Sequence, residues 1–447
     1  MRRRPLSPAQ LLSLHIVVLV AVGTILLRLP IATEPGRHIS LVNAFFTSTS
    51  AVCVTGLIVI DTPRDLSLFG EVVLMLLIQA GGLGYMTIST VVAVALGKRI
   101  TLQERLTLQE ALNIHTREGL LRFAGTVLKM TLVLEGIGAA ILAWRWRSQF
   151  GVVGGAYLGL FHAVSAFNNA GFSLFSDNLA GHRGDLTVNL VVTSLIICGG
   201  LGFVVLSEIG RLRQGAQLSL HTKFVVALTA VLIAGGTAAI FLLERHNPHS
   251  LGPLGTGEAW LAAYFQAVTP RTAGFNTLDI GALYLPTLFL LMLLMFIGAS
   301  PGGTGGGIKT TTFGIAVLAL WATVRGRAEP TAFRRRLPPE VVARAFFVSF
   351  IAFLAVNLIA TLVLITERCD LMSTLFETTS AFGTVGLSTG HAGSILSLSG
   401  HFSWAGKLLI SLMMFMGRVG PLTLAVALAG GQHAARVRYP EGKVLIG

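Results

Sequence analysis

Four stretches of this chain align on a shared glycine, and that repetition limits the folds open to it more than any other feature. They are Phe46–Leu57, Phe161–Phe172, Tyr264–Phe275 and Phe376–Leu387, ending Gly56-Leu57, Gly171-Phe172, Gly274-Phe275 and Gly386-Leu387. Without gaps, an aromatic precedes each glycine by ten residues, and Ser50, Ser165, Val268 and Ser380 precede it by six. The glycines lie 115, 103 and 112 residues apart. One shared glycine would mean little in a chain with 51 of them, but four at a steady period mark an internal repeat.

Each repeat brackets its glycine between apolar segments. The chain is 53% hydrophobic and 12% charged, against about 25% charged in soluble domains. Apolar segments at 11–30, 70–96, 122–143, 186–209, 222–243, 285–321, 342–366 and 403–429 are each long enough to cross a hydrocarbon core of about 30 Å. Between the members of each pair lie shorter segments, 40–55, 155–170, 257–273 and 371–384, too short to span and suited to surface or re-entrant helices. The fold class expected is an all-α membrane protein with eight spans and four re-entrant pore helices. Its units are repeat 1 (1–97), repeat 2 (98–210), repeat 3 with a broken second span (211–325) and repeat 4 (326–447).

Charge sets the orientation. The net charge is +13, which in a soluble chain would suggest nucleic acid. Here 20 Lys and Arg fall in the N-terminus, the segments between units and the C-terminal tail, whereas the loops within units carry 10 basic against 12 acidic residues. The basic set is expected on the cytoplasmic side with both termini, in the plasma (inner) membrane, and nucleic acid is not an expected partner. Met1-Arg2-Arg3-Arg4 before an apolar segment reads as a first span retained in the membrane. Cys53, Cys198 and Cys369 are too scattered for a disulfide framework or a metal site.

Two spans per unit give successive units the same orientation, so four parallel units with fourfold pseudosymmetry can surround one central pore. No ring of Asp or Glu occupies the aligned positions, which leaves backbone carbonyls to replace an ion's water. A helix ending just before each glycine points its negative dipole end at the axis, and glycine allows the backbone to aim carbonyls inward. The candidate filter is therefore Val54, Thr55 and Gly56; Asn169, Ala170 and Gly171; Thr272, Ala273 and Gly274; and Thr384, Val385 and Gly386, with K⁺ at the four glycines. Helix caps or tight turns are the plain alternative for any one of them.

These motifs resemble the four filter segments of the Trk/Ktr/HKT potassium-transporter superfamily. Gly298-Ala-Ser-Pro-Gly302-Gly-Thr-Gly-Gly-Gly307-Ile-Lys309 resembles its intramembrane gating loop, and Met416-Gly-Arg418-Val-Gly-Pro421 its arginine-bearing last span. Because the first repeat begins at the start of the chain, the Ktr-type transmembrane subunit is the nearer match. The resemblance implies K⁺ uptake, with Na⁺ as a candidate coupling ion and no cofactor in this chain. It also implies a homodimer in the lipid membrane, seated on a cytosolic ring of nucleotide-binding regulatory subunits. Gly rather than Ser at position 56 is associated with K⁺ selectivity.

Other features fit this reading or stay open. Gly302, Gly303, Thr304, Gly305, Gly306, Gly307 and Lys309 nearly spell a phosphate-binding loop, but Ile308 breaks it and no soluble strand precedes it. Five glycines in six residues cannot hold a helix, so the sixth span should break there, as a mobile flap or a plain kink. Arg418 lies deep in an apolar segment, where a cation is costly; it serves as a barrier in the path or pairs with an intramembrane acid such as Glu135. Lys309 could bond flap carbonyls or snorkel. Arg271 could fix the third filter loop or sit at its rim. Gly81, Gly82, Gly84, Gly199, Gly200 and Gly202 read as close helix-packing sites. No nucleophile–base or metal constellation suggests an enzyme. A secondary transporter that alternates access, or a scaffold for a regulatory assembly, are the competing functions.

Overall fold

A computed structural model describes residues 8–95, 117–215, 217–327, 329–391 and 395–420. The helices are α1 (Pro8–Leu27), α2 (Leu41–Val52), α3 (Leu68–Ala95), α4 (Arg117–Phe167), α5 (Leu186–Leu201), α6 (Phe203–Arg211), α7 (Leu220–Glu244), α8 (Thr256–Val268), α9 (Leu285–Phe296), α10 (Thr310–Val324), α11 (Pro339–Glu367), α12 (Leu371–Gly383) and α13 (Trp404–Val419). A two-stranded ribbon, Thr331–Ala332 with Arg335–Arg336, links α10 to α11. The basic segment near 98–116 and the C-terminal tail, including Pro421, lie outside the described residues.

Local chemistry sets the short helices. Ser40 and Asp370 cap the starts of α2 and α12, accepting from Asn43 N at 3.2 Å and Ser373 N at 3.0 Å. In the third unit α8 stops at Val268, just before Thr269-Pro270, because the proline has no N–H to continue the helical ladder.

The second unit's first span and its short helix lie within α4 as two helices that meet at a kink at Gly151 (φ 74°, ψ 174°). A single glycine in the left-handed region can turn the chain where a longer loop would otherwise be needed. Two expectations are corrected. The segment 186–209 is not one helix, because α5 and α6 meet at 103° across Gly202, whose φ is 96°. Gly202 therefore breaks a helix rather than packing one. The gap-free alignment also fails in the third unit. Phe265 is fully buried where Tyr264 was expected, and Thr269 does what Ser does elsewhere, so this unit is one residue shorter between helix and glycine.

The expected break in the sixth span occurs: residues 297–309 separate α9 from α10. Stretches within α4, α7 and α11 are long and apolar enough to cross a membrane, and the bent pair α5–α6 adds a fourth candidate. At most 28% of each of the three apolar windows is buried, and Phe346, Phe347, Phe350 and Phe353 of α11 lie exposed. Apolar faces of that size must meet lipid, so the chain is a multi-pass membrane protein.

The core lies behind the short helices. Phe46, Phe161, Phe265 and Phe376, one from each, are at most 1% exposed. On the outer rim of the third unit Glu244 is fully buried. It accepts from Asn247 Nδ2 and Ser250 Oγ at 2.6 Å each, from Tyr284 N at 2.9 Å and from Thr287 Oγ1. Glu244→Ala strands these donors, and each unmet buried group costs about 1–3 kcal/mol. The variant is expected to melt several degrees below wild type in detergent; an unchanged midpoint would show that water replaces the carboxylate.

Candidate functional site

The four turns after the short helices share one backbone pattern. Two residues before each glycine the chain is left-handed, at Val54 (φ 54°), Asn169 (60°), Thr272 (70°) and Thr384 (50°). The glycines are left-handed too, at 89°, 69°, 78° and 95°. Left-handed residues at alternate positions are costly, above all at β-branched Val54, Thr272 and Thr384, so the surrounding packing must impose them.

Those glycines touch in cyclic order. A Cβ at Gly56 would strike Ala170 O, one at Gly171 Ala273 O, one at Gly274 Val385 O, and one at Gly386 Thr55 O. The same imagined atoms come within 3.0–3.2 Å of the next glycine's Cα all the way round. Glycine is required here by both dihedral angle and space, so the four segments close into a ring. Ser50 Oγ and Ser380 Oγ accept from the N–H of Gly56 and Gly386, while Ser165 and Thr269 donate to the carbonyls of Phe172 and Phe275. Asn169 Nδ2 ties the second segment to the third, reaching Thr272 Oγ1 at 3.0 Å and Arg271 O at 3.2 Å.

On one side the ring opens into a cavity of about 350 Å³, lined by the four glycines together with Asp61, Asp177 and Asp279. Each carboxylate follows its glycine by five or six residues, and together they bias the mouth toward cations. Burial pushes the Asp61 carboxyl above the usual carboxylate range, opposed by a 2.8 Å bond from Ser176. That bond joins the first and second units. A pair of bonds between Ile58 and Ser397, at 2.9 and 3.0 Å, joins the fourth to the first.

The opposite side is crossed by residues 297–309. In three units a glycine of the second span packs directly on the carbonyl four residues before the ring glycine: Gly81 on Val52, Gly199 on Phe167, Gly417 on Phe382. In the third unit the equivalent Gly298 faces Gly306 O of the broken segment instead. That segment is pinned to its neighbours. Thr304 donates from N to Gly199 O (3.0 Å) and from Oγ1 to Phe167 O (3.2 Å); Gly306 N donates to Thr384 Oγ1 (2.9 Å), and Gly307 N to Gly417 O (3.2 Å). Gly302 O accepts from Phe203 N at 3.1 Å, which fastens the segment to the bend at Gly202.

Lys309 Nζ bonds Gly305 O at 2.7 Å rather than snorkelling. Arg418 is 5% exposed, and its guanidinium donates to Thr304 O, to Gly81 O at 2.5 Å and to Gly82 O at 3.3 Å. It thereby joins the segment to the first unit. Glu135 is held elsewhere, accepting from Asn168 Nδ2 at 2.9 Å. Arg271 is 4% exposed and donates to Thr229 Oγ1 at 3.2 Å, so it is not a rim charge.

Sequence reasoning missed Thr269 and Asn168, and it read Gly202 as a packing site where the structure has a bend. Thr269 was legible in one respect: it follows Phe265 by four residues, the spacing of Ser50 from Phe46. Nothing local marks the partners of Asn168, because Gln79 lies on α3 and Glu135 on α4 ahead of the kink at Gly151.

A family model described as TrkH, cation transport protein, matches residues 13–433. The chain is 43% identical over 445 residues to Ktr system potassium uptake protein B of Bacillus subtilis, covering 99% of this chain and 97% of that protein. It is 36% identical over 452 residues to the potassium/sodium uptake protein NtpJ of Enterococcus hirae, covering 100% and 98%. Its fold is similar to the crystal structure of the potassium transporter TrkH from Vibrio parahaemolyticus, with TM-score 0.76, 21% identity, and 96% and 86% of the two chains covered.

Proposed function

This chain belongs to the TrkH family of cation transport proteins, transporters rather than enzymes, and from that membership we propose that it takes up K⁺ through the ring of four glycines. The observation that carries the reading is the cyclic contact of Gly56, Gly171, Gly274 and Gly386. Four chain segments meeting around one axis, each with two left-handed residues, can offer stacked carbonyl rings to a dehydrated cation. Val54 to Gly56, Asn169 to Gly171, Thr272 to Gly274 and Thr384 to Gly386 form the filter, and the cavity lined by the three aspartates is its extracellular mouth. The four repeats, 1–97, 98–210, 211–325 and 326–447, supply eight spans and four re-entrant helices with fourfold pseudosymmetry.

The segment from Gly302 to Gly307, with Lys309 and Arg418, is the gate on the cytoplasmic side. Its polar backbone is met by hydrogen bonds from the second and fourth units, as irregular backbone at membrane depth requires. Both termini are cytoplasmic, in the plasma membrane. The chain works as a homodimer on a cytosolic nucleotide-binding ring, a reading supported by relatives named as parts of a Ktr system. Na⁺ is a candidate coupling ion, and one relative is named a potassium/sodium uptake protein.

Purified protein in liposomes is expected to take up radioactive Rb⁺ in a manner displaced by K⁺ far more strongly than by Na⁺. Equal displacement by the two ions would sink the filter reading. Flux that saturates and drives a second ion stoichiometrically would favour alternating access instead.

A further inference from the structure

In the wall of the cavity at the ring's mouth, one side chain reaches a ring carbonyl from outside the filter segments. Asn178 lies in the loop after Gly171, half-buried, with φ 58°. Asparagine tolerates that left-handed geometry better than most residues. Its Nδ2 donates to Gly171 O at 3.3 Å, and its Oδ1 accepts from Asn276 N at 3.4 Å. Leu179 N adds a bond to Asn276 O at 3.1 Å. One amide thus grips a ring glycine of the second unit and the chain two residues past the ring glycine of the third. Among the described residues the carbonyls of Gly56, Gly274 and Gly386 receive no such side-chain bond.

The loop carrying Asn178 is itself braced. Asn178 N donates to Phe175 O at 3.0 Å, and Phe175 N donates to Ser173 Oγ at 3.0 Å. Ser173 Oγ lies 2.9 Å from Nε2 of the fully buried His162. His162 Nδ1 faces Leu158 O at 2.8 Å, so Nδ1 carries the proton and Nε2 accepts from the serine. The clamp therefore stands on a short helix of the core rather than on a free loop.

We propose that Asn178 is a positioning residue for ion selection: its amide fixes the Gly171 carbonyl and sets the spacing between the second and third filter segments. This rests on the reading of the ring as a K⁺ filter. A ring tells ions apart only if its oxygens hold their spacing, and this tie acts on one ring carbonyl directly.

Two variants of the full chain in liposomes test it. Asn178→Gly keeps the left-handed backbone and removes the amide. Asn178→Asp keeps the acceptor for Asn276 N–H but turns a second acceptor toward Gly171 O. At neutral external pH both should lower K⁺ over Na⁺ discrimination about fivefold, the scale of one hydrogen bond. Below an external pH of about 4 the carboxyl introduced by Asn178→Asp becomes protonated and can again donate to Gly171 O. Discrimination in that variant should then return toward wild type while the glycine variant's stays low. Wild type at the same pH controls for Asp61, Asp177 and Asp279, which line the same cavity. Wild-type discrimination in Asn178→Gly, or a loss in Asn178→Asp that ignores pH, overturns the proposal. If Asn178→Gly fails to insert, the pH reversal of Asn178→Asp alone decides. A wild type that does not discriminate K⁺ from Na⁺ would instead refute the filter reading.

Discussion

Replacing Arg418 with alanine is expected to raise K⁺ flux in liposomes on the order of 30-fold and to make it less dependent on a cytosolic partner. The guanidinium is buried, and it bonds Thr304 O beneath the ring and two carbonyls of α3. At a separation on the order of 8 Å and an effective dielectric of about 20, its repulsion of a K⁺ is about 2 kcal/mol. Removing that much barrier corresponds to the factor given. The same side chain tethers the segment 302–307, so charge and tether must be separated. Arg418→Lys keeps the charge but concentrates it at one ammonium that cannot match the planar fork. It should raise flux less than alanine does. Deleting residues 302–307 should act in the same direction as alanine. Unchanged or lower flux in folded, membrane-inserted variants would make both the segment and the arginine structural.

The second large effect is expected at the ring. Gly56→Ser places a Cβ against Ala170 O and forces serine into the left-handed region, which costs about 1–2 kcal/mol by itself. The neighbouring carbonyl must move, and K⁺ over Na⁺ selectivity should fall about tenfold or more. Gly171→Ala, Gly274→Ala and Gly386→Ala should do the same, because each meets the carbonyl of the next unit in turn. Competition of Na⁺ against Rb⁺ uptake reads this directly. A variant at any one glycine that keeps wild-type selectivity would remove that segment from the filter.

Much of this arrangement was legible in the residues. The short helices and ring glycines were readable because period and composition carry them: an apolar pair, a short amphipathic segment, then glycine. The break at 297–309 was readable because a run of glycines has no helical alternative. The bend at Gly202 was not. Gly199, Gly200 and Gly202 look like the triplet at Gly81, Gly82 and Gly84, which lies within an unbroken helix. What separates them is a neighbour: Phe203 N meets Gly302 O, and Gly202 lies against Pro301 O, so the glycine-rich segment of the third unit occupies the space that a straight helix would fill.

The sequence by itself determined that this chain crosses a membrane several times and places a glycine after each short helix. Those properties follow from local hydrophobicity and from backbone angles that glycine tolerates, and both are written residue by residue. Tertiary structure alone decided which carbonyl each glycine faces, that the third unit is one residue short, and where Arg418 puts its protons. Its partners Thr304, Gly81 and Gly82 lie more than a hundred residues away. A buried guanidinium takes whichever acceptors packing brings within reach, and that is settled only when four units close around one axis.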